Sequence, residues 1–227
     1  MKCDDKEEVR PASFQPESPF VIVCEGFQDG GFFCALLEHL KITNCDVTFP
    51  KKRRDGANGE SGIPAMVRLL SEVPTVNGIA IMRDADENAE NSFAKAQMAF
   101  TGQFIAPKEC FVVSRGKHKT TGVFLIPGKG QLGGLESLLL RAVFSSHPEL
   151  DTCIRSLEVC HKLTDLWSDK KKAKMKMQCV IASYCKDDPC CSLGFIWRKG
   201  KDNPIDLSNE AFQELSNFLV DFTHNEN

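Results

Sequence analysis

The sequence predicts an α/β fold: a largely parallel sheet flanked by helices, with a mainly helical C-terminal extension. Three observations carry that expectation. Apolar runs at 20–24, 76–82 and 121–126 are nearly unbroken, as in strands buried on both faces. Stretches such as 32–40 repeat apolar residues every three or four positions, the period of a helix. The last third shows that helical spacing and no strong strand signal. A chain of 227 residues is long enough for one large domain with additions. The expected division is an arm over 1–18, a core over 19–145 and a helical extension over 146–227 packed on the core.

Residues 1–18 are mostly polar and charged, with Pro11 and Pro16, and read as a disordered arm. The first strand ends at Glu25, and Gly26, Gly30 and Gly31 allow a tight passage into the next helix. A carboxylate at the carboxyl edge of a parallel sheet lies in the crevice where open α/β folds build their sites. Asp29 falls near the first turn of that helix, where the dipole favours an acid, so capping is its plain structural reading. A short second strand over 45–49 is stopped by Pro50. The loop after it combines Lys51, Lys52, Arg53 and Arg54 with Gly56, Gly59 and Gly62. Such a loop suits phosphate contact through backbone N–H groups and positive charge, and it also suits a solvated surface.

Pro64 opens a helix over 65–70. The strand over 76–82 is apolar enough to be central, and it runs out into Arg83-Asp84-Ala85-Asp86. Two residues apart on an extended backbone, Asp84 and Asp86 project to the same side. Carboxylates that close repel unless a cation or a proton lies between them, and a hard divalent ion is the natural partner. Turn chemistry and the capping of a helix over 91–100 compete with that explanation. With Glu25 on a parallel neighbour, however, three carboxylates converge on one point.

Strands over 110–113 and 121–126 are joined by a basic, hairpin-like turn holding Arg115, Lys117 and His118. Four glycines between 128 and 134 form a loop, and Glu136 begins a leucine-rich helix. Helices over 153–166 and 170–182 follow. The second is crowded at its start by Lys170, Lys171, Lys172, Lys174 and Lys176, where cations oppose the dipole and so do not serve the helix itself. Residues 192–197 form a short strand or a buried turn. Ser208-Asn209-Glu210 caps a last amphipathic helix carrying Phe212, Leu215, Phe218, Leu219 and Phe222.

With 28 basic against 31 acidic residues the chain is not generally basic, so any nucleic-acid contact rests on local patches. No run approaches the roughly 18 apolar residues of a membrane span, and the N-terminus lacks a signal-peptide core; a cytoplasmic protein is expected. Eleven cysteines, odd in number and without a paired Cys-x-x-Cys, point to reduced thiols rather than a disulfide or zinc framework.

A strand leading into Glu25-Gly26, followed by an apolar strand ending Asp84-x-Asp86, resembles the Toprim catalytic domain over about residues 20–140. That domain is shared by type IA and type II topoisomerases, bacterial primases, and the OLD-type and ribosomal-RNA-maturing nucleases. Gly133-Gly134-Leu135-Glu136 before the leucine-rich helix, and the later Lys172-Ala173-Lys174 helix, make most of the chain similar to a family of small stand-alone Toprim-like proteins of undefined function. The resemblance implies a metal site of Glu25, Asp29, Asp84, Asp86 and Glu136, filled by Mg²⁺ or Mn²⁺. It implies catalytic roles for Glu25 and for either Lys172 or Lys174, the lysine stabilising charge in the transition state. The implied reaction is phosphodiester hydrolysis in DNA or RNA, with residues 51–54, Arg115 and Lys117 holding the nucleic-acid backbone. A topoisomerase needs a tyrosine nucleophile in a DNA gate, and the single tyrosine, Tyr184, lies in a chain with no room for one. The competing expectation is a non-catalytic Toprim-like module that binds metal, nucleotide or nucleic acid in a regulatory role, as a homodimer or with a protein partner.

Overall fold

Strand β1 (Phe20–Val23) is buried along its whole length. It lies between β2 (Cys45–Thr48) and β3 (Gly78–Asp84), parallel to both. Beyond β3, β5 (Thr120–Ile126) continues the parallel order, and the short β4 (Ser114–Arg115) closes that side antiparallel. The five-stranded sheet has the order β2-β1-β3-β5-β4. The computed structural model describes residues 14–50, 62–117, 119–162, 166–185, 188–198 and 203–224.

The alternation of side chains along each strand divides the core into two layers. Val21, Val23, Ile79, Ile81, Val123 and Leu125 meet α2 (Ile63–Ser71) and α3 (Ala89–Gln97) on one face. Phe20, Ile22, Ala80, Met82, Phe124 and Ile126 point to the other face, under α1 (Phe27–His39) and α4 (Leu135–Ser146). Helices α5 (Pro148–Cys160) and α6 (Asp169–Tyr184) pack on α4. A 3₁₀ turn, Glu210–Phe212, leads into α7 (Gln213–Thr223), which lies against β3 and β5.

The apolar face expected of the last helix is the one that is buried: Phe212, Leu215, Phe218, Leu219 and Phe222 all enter the core. Each such side chain contributes about 1.5–3 kcal/mol by leaving water. A Cβ on Gly122 would come within 2.6 Å of the Phe218 ring, so β5 carries a glycine where α7 lies closest. The extension therefore completes the same core that β1 begins.

Three local expectations change. The ordered chain starts before residue 19, because the backbone N–H groups of Glu17 and Ser18 and the Ser18 hydroxyl donate to the buried Asp46 carboxylate at 2.7, 2.9 and 2.8 Å. Residues 110–113 form a turn rather than a strand. Their apolar character comes from covering the sheet, with Phe111 edge-on to Phe124 at 5.0 Å. At 192–197 the turn, one of the two expected alternatives, is the one formed. Nine of the described cysteines are free thiols, whereas Cys34 is disulfide-bonded. Among the described residues no helix is long and apolar enough to cross a membrane. The readings of 1–13, of Lys51, Lys52, Arg53 and Arg54, and of His118 lie outside the described residues.

Candidate functional site

The parallel register brings the acidic strand ends together. Val23 of β1 lies level with Ile81 of β3, so two residues on Glu25 comes level with Arg83, one residue before Asp84. Arg83 is buried, and its Nε stands 3.7 Å from Glu25 Oε1. The chain then turns into α1, where Asp29 Oδ2 accepts a hydrogen bond of 3.0 Å from the Gly26 N–H. The capping role expected of Asp29 is thus present, and it also fixes the carboxylate beside Glu25.

Asp84 is held from the far side by the start of α4, where the Leu135 N–H donates to its Oδ1 at 3.1 Å. A Cβ on Gly134 would lie 2.4 to 2.7 Å from the Asp84 carboxylate, so only glycine permits this approach. Asp86 takes a left-handed backbone conformation with φ 52° and exchanges backbone hydrogen bonds with Gly133 at 2.8 and 2.9 Å. That bridge draws the glycine-rich loop, and with it Glu136 in the first turn of α4, to the mouth of the crevice. The cap of α3 is Asn88, whose side chain accepts from the Asn91 N–H at 2.9 Å. Asp84 and Asp86 are therefore not spent on capping α3.

Crowding shows in the proton affinities. Burial, followed by the charges of Glu25 and Glu136, pushes Asp29 up to about 7, against the Gly26 N–H and Lys174, which pull it down. Burial again leads for Asp84, which is raised well above the usual carboxylate range; Asp29, Glu25 and Glu136 add to the rise and Lys170 opposes it. A carboxyl near 7 gains and loses its proton around neutrality, the condition for acid–base work. Neighbouring Cys24 is fully buried, and burial, with Asp29 and Glu25, raises its thiol, so it is not a nucleophile.

The lysine of the site is Lys170. Its Nζ lies 2.5 Å from Asp86 Oδ1 and 3.7 Å from Asp84 Oδ2. Burial works against the ammonium, but the hydrogen bond to Asp86 and the charges of Asp84, Asp86 and Glu25 outweigh it and raise its pKa. Lys174, one turn on, acts on Asp29 from the same face of α6. Lys172 does not reach the carboxylates; it pairs with Asp169 at 2.5 Å, and Lys176 pairs with Glu158 of α5 at 2.8 Å. Of the two lysines read from the sequence, the structure brings Lys174 alone to the acidic cluster.

Arg115 and Lys117 are not brought there either. Gly78 pairs with Thr120 at one end of the β3–β5 ladder and Asp84 with Ile126 at the other, so their hairpin sits about 20 Å from the carboxylates at 3.3 Å per residue. Arg115 Nη2 donates instead to the Asp221 carboxylate and main-chain oxygen of α7, at 2.7 and 2.8 Å. The residues that the sequence reading missed are Arg83, Lys170 and Gly134. A cation entering a central strand marks Arg83, and the four-residue spacing to Lys174 marks Lys170.

A family model described as a protein of unknown function, DUF3226, matches residues 19–224, from the start of β1 to the end of α7. The chain belongs to the DUF3226 family. No curated protein and no solved structure matches it. The DUF3226 match takes in the sheet and the C-terminal helices together, and so includes both the carboxylates and Lys170.

Proposed function

We propose that this DUF3226 protein hydrolyses phosphodiester bonds in DNA or RNA with Mg²⁺ or Mn²⁺. The observation that carries the reading is that Glu25, Asp29, Asp84 and Glu136, drawn from two strand ends and two helix starts, lie within reach of one another's charge, with the Lys170 ammonium joining Asp84 to Asp86. The sequence order of these acids, which resembles that of Toprim nucleases, supports it. The donors are all carboxylate oxygens, the chemistry that hard divalent ions take, and burial first, then the neighbouring acids, raises two of them, Asp29 and Asp84, above the usual carboxylate range. A bound ion supplies neutralisation of the nonbridging phosphate oxygens and activation of water. Arg83 orients Glu25, the α4 N-terminus orients Asp84, and Lys170 and Lys174 face the phosphate charge.

A second reading is a metal, nucleotide or nucleic-acid binding module without turnover, and one observation weighs against a preformed catalytic metal centre. Among the described residues no three His, Cys, Asp or Glu side chains stand close enough to hold one ion. A labelled panel of single-stranded, duplex and structured DNA and RNA separates the two. Cleavage that needs Mg²⁺ or Mn²⁺ and disappears in folded Asp84→Asn is the expected result. Binding of the panel with no cleavage at any metal concentration would move the assignment to the binding module.

A further inference from the structure

The lysines of α6 are distributed in a way that the helix itself does not require. Of its sixteen residues, Met177, Val180 and Ile181 are the buried ones, all in the second half. Over Asp169 to Lys176 no side chain is fully buried, and Leu166 and Trp167 just before it are exposed. Ala173 is half-buried against the core, and the remaining ties of this first half to the strand ends are ionic. Lys170 reaches Asp86 and Asp84, while Lys176, beside the buried half, is fixed to the buried Glu158. The segment is thus a strap with its full apolar anchor at one end, the half-buried Ala173 in its middle and an ammonium at the other end.

The ammonium stands where positive charge is most needed. Asp84 faces the charges of Asp29, Glu25 and Glu136, and the Lys170 ammonium reaches both Asp84 and Asp86. A divalent ion would seek the same oxygens and be repelled by a cation already there.

We propose that Lys170 is a tethered counter-ion that closes the site: the Lys170 ammonium and a divalent ion compete for Asp84 and Asp86, and the half of α6 from Asp169 to Lys176 is released when the ion binds. This rests on the reading of the carboxylates as a divalent-ion site and adds its regulation. It accounts for the absence, among the described residues, of three converged ligands, because the closed state is held by lysine instead. It also gives Lys170 two positions, one on the carboxylates before the ion enters and one free to meet a phosphate afterwards.

The test is Mn²⁺ titration calorimetry on metal-stripped, full-length wild type, Lys170→Gln and Lys171→Gln. Lys171 is an exposed cation of the same turn and serves as the control for charge alone. Lys170→Gln should bind Mn²⁺ about ten-fold more tightly, equivalent to ~1.4 kcal/mol, and Lys171→Gln should bind like wild type. Equal or weaker binding by Lys170→Gln, or equal tightening by Lys171→Gln, would overturn the competition and leave the metal site standing. No binding by wild type and Lys170→Gln would overturn both. Hydrogen exchange on the wild type needs no variant to fold: adding Mn²⁺ should speed exchange of amides 169–176 and leave 177–184 unchanged. Slowed or unaltered exchange at 169–176 in the presence of bound Mn²⁺ contradicts the release.

Discussion

The two ends of the sheet treat charge in opposite ways. At the amino ends of β3 and β5, charges are settled one by one: Arg115 pairs with Asp221, and Lys119 donates to the Val76 carbonyl and lies 5.4 Å from the Phe104 ring centroid. At the carboxyl ends of β1 and β3, the acids are drawn under cover and left in surplus. Arg83, Lys170 and Lys174 are shared among Glu25, Asp29, Asp84, Asp86 and Glu136. The first end is built for stability. The second keeps Asp29 and Asp84 buried beside Glu25 and Glu136, and burial with that shared charge raises both.

The largest test of that contrast is the pH dependence of stability without divalent ions. Asp29 titrates near 7 in the folded chain against 3.8 for a free aspartate, so between those values the native state holds the extra proton. The contribution of Asp29 to stability is then fully present below about 4 and is lost as pH rises through 7, by at most about 4 kcal/mol. Asp29→Asn should flatten the slope in chemical denaturation from pH 4 to 8 while keeping an acceptor for the Gly26 N–H. An unchanged slope would mean that the acids at this end are not crowded.

Gly134→Ala sets a methyl group against Asp84 and should cost about 1–3 kcal/mol in urea denaturation. Because the clash falls on the carboxylate, cleavage should fall with it. Smallest is Arg115→Ala at the other end, an exposed ion pair worth about 0.2–1 kcal/mol. Its melting temperature should drop slightly and nucleic-acid cleavage should stay at the wild-type level. Loss of cleavage there would join the two ends functionally and break the comparison.

How much of this was legible in the sequence differs between fold and site. Buried parallel strands announce themselves as apolar runs, so β1, β3 and β5 were readable, as was the apolar face of α7. The run at 110–113 misled, because side chains that cover a sheet are as apolar as those within it. Glu25, Asp84 and Asp86 were visible at strand ends, whereas Asp29 and Glu136, at helix starts where the dipole alone accounts for an acid, became site candidates only through the Toprim resemblance. Lys170 was hidden in a crowd of five lysines, and periodicity separates 170 and 174 from 172 and 176 without saying which pair meets the sheet. Arg83 looked like part of a polar strand end until the register set it beside Glu25. The basic hairpin was readable as basic, but its place depends on the direction of β5 beside β3, and that is a property of the assembled sheet.

The central claim is that the carboxyl-end acids take a divalent ion. Electron paramagnetic resonance of free Mn²⁺ over metal-stripped protein counts bound ion directly, for wild type and for Asp84→Asn. The account predicts uptake by the wild type and at least about ten-fold weaker uptake by the folded variant. No uptake by the wild type, or equal uptake by both, would contradict it.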